Sequence, residues 1–390
     1  AATMAAGDLQ GGGPLPGLLS YYGGLFPLSL AFGERVFNVS FDGLLSVVSW
    51  FLGLAWPAAL FVLARRIWPR RLLEQGLLVF IGTIGSSLAL DPGSEWVSSI
   101  LPSGANVWPL YPRDVTLVLL ALALAVAMGS PSLRRSLGAG ALLGAALATQ
   151  FQLGLLAVAA VTLWNITAPR WPPRREQLVN AAVTVATAFA LSAWWWIPRL
   201  LAAVEYRPLL LQSYPGAEPP DFGGVGIVNA LGLTGLLAIV GVVVAWRRHD
   251  RVRAETFFLG WVIVFTPFLV LATAIGDAGF ITPRRIWLLV SLPIVVLAAS
   301  GAAALVRTRA AVVLLPVIVL AIVVPSTAEV VQTRGRVERL WSDDALGYES
   351  FRHALWDPVT ARLHTEVDRR GSFRVLAPDN DAAFIWSRTG

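Results

Sequence analysis

One long apolar run with distinctive flanks most constrains the fold of this chain. The run occupies residues 178–193, follows Arg174 and Arg175, and precedes the sequence Trp-Trp-Trp-Ile-Pro at 194–198. Arginines before an apolar segment, and tryptophans with a proline after it, are typical of a helix that crosses a lipid bilayer. The pattern therefore predicts a membrane helix that ends at the aromatic belt.

The composition extends this prediction to the whole chain. Of its 390 residues, 56% are hydrophobic and 14% are charged, and the mean hydropathy is +0.67. A soluble protein carries about 25% charged residues. The net charge of +6 is spread over separate arginine clusters, which argues against a nucleic-acid partner. Cysteine is absent and the three histidines have no metal-ligand spacing, so carboxylates are the remaining candidate metal ligands.

Further apolar runs repeat the same layout along the chain. If each run crosses the membrane once, the arginine clusters at 65–71, 134–135, 170–175, 247–253 and 307–309 all fall on one side, which the positive-inside bias makes cytoplasmic. The sequence thus predicts an all-α polytopic protein with about eight transmembrane helices, at 43–64, 72–90, 115–129, 178–193, 227–246, 256–275, 286–306 and 310–324.

The apolar segment 137–165 does not fit a single crossing. Arginines flank it on both sides, and the polar sequence Thr-Gln-Phe-Gln at 149–152 interrupts it. We therefore predict two short helices that turn back on each other, with the turn at membrane depth. Gln150 and Gln152 would either line a cavity there or satisfy backbone groups, and the second role is the one that we expect.

The remaining segments divide the chain into three parts. Residues 1–42 are predicted to form an outer loop with an interfacial helix at 15–32, and residues 43–326 form the transmembrane domain. Residues 327–390 are more charged and are expected to begin an extracytoplasmic domain, with an amphipathic helix at 348–367 and a strand at 373–376. The chain starts without an initiator Met, so we expect it to belong to a longer protein.

One arginine pair departs from the positive-inside pattern. Arg284 and Arg285 precede an apolar run on the outer side of the membrane, opposite the side that carries the other arginine clusters. Two cations at the outer end of a transmembrane helix need an anionic partner, and a phosphate is a natural one. Asp277 in the same loop is the alternative partner.

Four carboxylates are predicted on the same outer side. Asp91 and Glu95 lie in the sequence Asp-Pro-Gly-Ser-Glu, where they could bind a divalent cation or act as a general base, or simply form a helix-ending turn. Asp114 begins an apolar run and is more simply a helix N-cap. Asp8 precedes the interfacial segment and, taken alone, is a solvated residue.

A polar cluster follows the tryptophan belt. Glu205, Tyr206 and Arg207 stand just beyond it, at the depth of lipid headgroups. They are candidates for substrate binding, and the alternative is a surface cluster whose side chains extend into water.

Several of these features together resemble a known superfamily. They are the interfacial aromatic segment, the run LRRSLGAGALLGAALATQFQ at 133–152, the belt at 193–198 with Glu205 and Tyr206, the Pro-Arg-Arg entry at 283–285, and the C-terminal outer segment. The layout looks like the GT-C superfamily of membrane glycosyltransferases. Within it, the chain is most similar to the bacterial membrane proteins grouped as 6-pyruvoyl-tetrahydropterin-synthase-related.

The resemblance implies a function. Such proteins take a sugar from a polyprenyl-phosphate carrier and transfer it, with inversion, to a glycan or protein acceptor at the outer face of the bacterial plasma membrane. A carboxylate in the first outer loop acts as base, sometimes with Mg²⁺ or Mn²⁺. By resemblance, Asp8, Asp91, Glu95 or Asp114 would be catalytic, and Glu205, Tyr206, Arg207, Arg284 and Arg285 would bind substrate.

Two other functions fit the same sequence. A transporter of lipid-linked sugars would carry paired broken helices near mid-membrane, and no second copy of the hairpin segment is present. A non-catalytic subunit of a larger membrane complex would account for the lack of a clear acidic motif.

Overall fold

The computed structural model describes residues 25–38, 41–84, 112–167, 174–205, 224–247, 253–274, 283–308, 313, 315–320 and 365. Within these ranges the protein is all-helical. The helices are α1 Leu25–Phe37, α2 Phe41–Ile67, α3 Leu72–Ile84, α4 Pro112–Ala127, α5 Leu133–Thr149, α6 Phe151–Thr167, α7 Arg175–Glu205, α8 Gly224–Arg247, α9 Arg253–Ala274 and α10 Pro283–Val306.

The chain divides into two compact units. One comprises residues 1–45 and 330–390, and the other comprises residues 46–329. Of the first unit, α1 is described best: it covers Leu25–Phe37, which overlaps the interfacial helix predicted at 15–32, and residues 15–24 of that prediction lie outside the described residues. Asn38 follows the helix, and its φ of 51° is the left-handed conformation that closes many helices. The predicted helix at 348–367, apart from Thr365, and the predicted strand at 373–376 lie outside the described residues.

The core of the second unit is a bundle whose helices approach closely at small residues. On α5, a methyl group at Gly140 would lie 2.6 Å from Cβ of Thr187 and 2.8 Å from the carbonyl oxygen of Thr184. The α8–α10 crossing is closer still, because Gly241 and Gly301 leave no room for a side chain against the facing backbone. Small residues at such positions let helices pack without the hydrophobic effect, as they do in membranes.

The predicted hairpin is confirmed. The helical segment breaks at Gln150, whose φ of −148° and ψ of 103° are extended, and separates α5 and α6, each of 17 residues. The two helices pack antiparallel, because Gly154 on α6 lies against the backbone of Leu147 on α5. The expected role of the two glutamines is wrong within the described residues: the side-chain oxygens of Gln150 and Gln152 are buried and accept no hydrogen bond.

The predicted end of α7 is also wrong. The helix continues through Pro198 and ends at Glu205, so the tryptophan belt lies inside a helix of 31 residues. Proline removes one backbone donor, but membrane helices tolerate this loss, and the leucines and alanines after Pro198 favour helix. The indole of Trp196 donates to the carbonyl of Phe189 at 3.1 Å, which anchors the belt to the helix itself.

Two segments combine the length and hydropathy that a membrane crossing needs. Among the described residues these are Arg175–Pro198 and Leu288–Val306, so two segments meet both requirements where about eight crossings were predicted. Five shorter apolar helices accompany them: Leu72–Thr83, Asp114–Ala127, Phe151–Thr167, Leu233–Arg247 and Ala254–Phe268. The predicted crossing at 310–324 is described in part, and residues 315–320 are helical.

Candidate functional site

The arginine clusters meet at one end of the bundle, which we call the arginine end. Arg307, after α10, pairs with Glu74 in the first turn of α3, and Trp68, after α2, donates to Glu255 in the first turn of α9. On the other side, Trp164 near the end of α6 donates to the last carbonyl of α4, that of Ala127. The predicted grouping of the clusters is confirmed for the described residues.

An aromatic contact between α6 and α9 joins the two groups of helices at this end. Trp164 on α6 meets Phe257 on α9 edge to face, with ring centroids 5.0 Å apart. Gln177, in the first turn of α7, donates to the carbonyl of Ile166 at 3.5 Å, which brings α7 to the same place. Helices α3, α5, α7 and α9 therefore begin at the arginine end, and α2, α4, α6 and α10 end there.

The opposite end of the bundle, the far end, carries the described members of the predicted site. Arg284 and Arg285 lie in the first turn of α10, and Asp114 lies in the first turn of α4. Glu205 is the last residue of α7. Each of these helices has its other terminus at the arginine end, so the structure brings the four positions to one end of the bundle.

The first turn of α10 is an unusual place for two arginines. Backbone N–H groups give a helix N-terminus a partial positive charge, so cations there gain nothing from the helix dipole. No acidic residue accompanies them in that turn. The same features, exposed N–H groups and added cations, form the anion sites that proteins use for phosphate. An anionic ligand at Arg284 and Arg285 stays a prediction of the sequence.

Asp114 occupies a different position from the one that we predicted. Helix α4 begins at Pro112, so Asp114 is in the first helical turn and does not precede it as an N-cap. Proline favours the first helical position, because its fixed φ suits the helix and its missing N–H is not needed there. A carboxylate in the first turn interacts favourably with the dipole. Asp114 has an interaction partner, so its charge is not free.

The other predicted site residues lie outside the described residues. They are Asp8, Asp91, Glu95, Tyr206 and Arg207. Among the residues that are described, no group of three or more histidines and carboxylates lies close enough to hold a metal ion.

Sequence reasoning missed two buried carboxylates at the arginine end. Glu74 and Glu255 are both fully buried. Glu74 accepts from Nη2 of Arg307 at 2.7 Å and lies 3.5 Å from Nη1 of Arg71. The available signal was position: each carboxylate falls in a first helical turn, where it complements the dipole, and Glu74 follows Arg71 by three residues.

Glu255 is held by a separate set of donors. Its Oε1 accepts from the indole of Trp68 at 2.7 Å and from the hydroxyl of Ser300 at 2.8 Å. The backbone of Trp68 in turn accepts from Gln75 at 2.6 Å. Buried ionisable groups in apolar surroundings need such partners. These contacts join the α2–α3 connection, α9 and α10, and we assign them to the stability of the fold.

A polar cavity also lies at the arginine end and was not predicted. It has a volume of about 170 Å³ and is enclosed by the α4–α5 connection, the end of α6 and the start of α7. Its polar lining residues are Ser130, Ser132, Arg135, Ser136, Asn165, Gln177, Asn180 and Thr184. The sequence signal was weak, because these residues come from three separate segments.

Comparison with known proteins gives a structural likeness only. No protein-family model matches the chain, and no curated protein matches it in sequence. Two solved structures of the Archaeoglobus fulgidus oligosaccharyltransferase are similar. The structure tethered to an acceptor peptide has a TM-score of 0.47 at 13% identity, and the complex with Zn and sulfate has 0.46 at 12%. Each covers 80% of this chain, which spans 47% and 44% of those chains.

Proposed function

We propose that this chain belongs to a polytopic membrane glycosyltransferase of GT-C type, most like the bacterial 6-pyruvoyl-tetrahydropterin-synthase-related proteins. It would transfer a sugar from a polyprenyl-phosphate carrier to a glycan or protein acceptor at the outer face of the plasma membrane. The observation that carries the proposal is the position of Arg284 and Arg285 in the first turn of α10, at the end of the bundle that lies away from the other described arginine clusters.

The surface of the bundle supports a location in the bilayer. Helix α8 exposes a continuous apolar stripe at intervals of three and four residues, formed by Leu236, Ile239, Val243 and Trp246, which are 47–71% exposed. Soluble proteins rarely expose contiguous apolar surface of this kind. In a bilayer such a stripe would face lipid chains, while the opposite face of α8, with Gly241 and Ala245, packs into the bundle.

The lengths of five helices are compatible with the proposed topology of about eight crossings and one hairpin. Helices α2, α7, α8, α9 and α10 have 27, 31, 24, 22 and 24 residues. At about 1.5 Å per residue each reaches the roughly 30 Å of the hydrocarbon layer. In this arrangement the arginine end is cytoplasmic, the far end is outside, and residues 327–390 are extracytoplasmic.

The residues at the far end have different proposed roles in the transfer reaction. Arg284 and Arg285, with Arg207, would bind the carrier phosphate at headgroup depth, and Glu205 and Tyr206 would contact the sugar. A carboxylate, chosen from Asp8, Asp91, Glu95 and Asp114, would take the proton of the acceptor hydroxyl. The acceptor oxygen then bonds to the anomeric carbon as the bond from that carbon to the phosphate oxygen breaks. Polyprenyl phosphate leaves with the electron pair, and the anomeric configuration inverts.

A divalent cation, Mg²⁺ or Mn²⁺, would support this chemistry by neutralising the leaving phosphate. Such an ion prefers several oxygen ligands. The described residues contribute a single carboxylate near α4, Asp114, and the others that would complete a site are Asp91 and Glu95. The cation therefore stays a prediction of the resemblance.

A direct assay tests the transfer. The protein is given a radiolabelled polyprenyl-phosphate sugar and an acceptor glycan, and the release of polyprenyl phosphate is measured. We expect release by the native chain and at least a hundredfold loss in the double variant Arg284→Ala, Arg285→Ala. The matched control is Arg65→Ala, Arg66→Ala, which removes the same charge at the arginine end and should keep the activity.

Two results would count against the proposal. Donor binding that persists unchanged in Arg284→Ala, Arg285→Ala would remove the phosphate site. Absence of release with the full-length protein across several donors would favour a non-catalytic subunit of a membrane complex. Movement of the intact lipid-linked sugar across vesicles, without release of polyprenyl phosphate, would favour a transporter.

A further inference from the structure

We propose that the polar cavity at the arginine end is a binding site for the phosphate ester of a small polyol, either free or as the headgroup of an anionic phospholipid. The inference concerns the end of the bundle opposite the proposed transfer site and does not depend on glycosyl transfer.

The first observation is a buried amide without a partner. Asn180, on α7, is 8% exposed and lines the cavity. Its side chain forms no hydrogen bond with any other residue that the structure describes, although its backbone carbonyl accepts from Thr184. Because the amide both donates and accepts, a phosphate oxygen and a hydroxyl would each satisfy it.

The second observation is a guanidinium at the same cavity. Arg135 donates through Nη1 alone, to the carbonyl oxygen of Ser130 at 2.9 Å and to its hydroxyl at 2.7 Å. Its Nε and Nη2 donate to no described residue, and these are the groups that bind phosphate in a planar, bidentate manner. The guanidinium packs over Gly129, where any side chain would occupy its place.

The electrostatics of the lining favour an anion over a cation. Arg135 is its one charged residue, and no carboxylate lines the cavity in the described part of the chain. Helices α5 and α7 both begin beside it, with Ser132 as the N-cap of α5, so two partially positive helix ends face the same space.

Size restricts the ligand further. The cavity of about 170 Å³ is smaller than the roughly 300–1,000 Å³ of pockets for drug-sized ligands, so it suits a headgroup better than a nucleotide. Leu133 and Leu137 on α5 are 57% and 44% exposed next to Arg134 and Arg135. Apolar surface beside a cationic cavity fits a lipid whose chains lie along the helix while its headgroup enters.

The test uses delipidated full-length protein in detergent and calorimetric titration with two probes. Glycerol 3-phosphate represents the free ester, and dihexanoyl phosphatidylglycerol represents the lipid headgroup; dihexanoyl phosphatidylcholine is the zwitterionic control. We expect binding of one or both anionic probes, at least tenfold tighter than the control. Binding of the first alone identifies a soluble ester, and binding of the second alone identifies a lipid. No binding of either overturns the proposal.

Three variants locate the site. Asn180→Asp keeps the shape of the side chain and adds a charge that repels phosphate, so affinity should fall at least tenfold; tighter binding would overturn the anion assignment. Gly129→Ala displaces the guanidinium of Arg135 and should also lower the affinity for the anionic probes. Arg135→Gln should lose binding, whereas Arg134→Gln, the exposed neighbour outside the lining, should keep it. Equal losses in the two arginine variants would indicate attraction to general surface charge and overturn the site.

Discussion

Arg307 and Glu74, 233 positions apart, form an ion pair of 2.7 Å that joins the end of α10 to the first turn of α3. The carboxylate is fully buried, while the arginine side chain is 43% exposed. The arginine thus extends from the surface to a charge that has no access to water. This pair fixes the two helix ends relative to each other at the arginine end.

Loss of Arg307 should destabilise the bundle. Arg307→Met leaves the buried Glu74 with Arg71 at 3.5 Å as its nearest described cation, and an uncompensated buried acceptor costs about 2 kcal/mol. We expect a melting temperature in detergent several degrees below that of the native protein. The double variant Glu74→Met, Arg307→Met should recover most of the loss, because replacing both charges by apolar groups is often nearly neutral. A double variant no more stable than Arg307→Met would contradict this assignment.

The contact between α8 and α10 should tolerate no side chain at Gly301. An added methyl group there would meet the carbonyl oxygen of Leu237 and the backbone nitrogen of Gly241, neither of which can rotate away. Gly301→Ala should therefore destabilise the protein by about 1–3 kcal/mol, the range of overpacked cores. The measurement is thermal unfolding, monitored as the fraction of protein that stays monodisperse in size-exclusion chromatography after heating.

Gly260 provides the matched control for that substitution. It also lies within a helix, α9, but nothing stands within 4 Å of an added methyl group. Gly260→Ala should leave stability unchanged or raise it by up to about 1 kcal/mol, since alanine is the better helix former. Similar effects of the two substitutions would show that helix propensity, and not backbone contact, governs both sites.

Trp68 should contribute to stability through its indole N–H as well as its ring. The donor lies 2.7 Å from Glu255, and the side chain is 1% exposed. Trp68→Phe keeps an aromatic ring but removes the donor, and hydrogen bonds to charged groups contribute about 1.5–3 kcal/mol. We expect a loss of this size in the free energy of unfolding. Glu255→Gln should lower the free energy of unfolding by less in the Trp68→Phe variant than in the native chain, because Trp68→Phe has already removed the hydrogen bond that the two residues share.

The two ends of the bundle should face opposite sides of the membrane. The chain has no cysteine, so single cysteines report accessibility without a background. Cysteines at Ser98 and Ala278, in the loops predicted outside, should react with an impermeant maleimide in intact cells. Cysteines at Pro69 and Ser130, at the arginine end, should react only after permeabilisation. If the cysteines introduced at positions 98 and 278 were labelled from opposite sides of the membrane, the proposed topology would be refuted.

The sequence by itself determined which of the described segments are helical and which of their ends lie together at the arginine end. Both properties are local: an apolar run of sufficient length forms a helix, and arginines at its end mark the polar boundary. The break at Gln150 was equally local, because arginines on both flanks forced the segment 137–165 to turn back. By contrast, the local rule that proline ends a helix failed at Pro198, where the following leucines and alanines continue it.

Only the tertiary structure decided which distant residues meet. Nothing in the sequence pairs Arg307 with Glu74 or Gly301 with Leu237, because such contacts depend on how helix surfaces fit, and this is not visible in the period of any one helix. The cavity lined by Arg135 and Asn180 also depends on the tertiary structure, since three separate segments must converge to form it. Composition and apolar runs select the class of fold, and packing between residues far apart in the chain creates the sites.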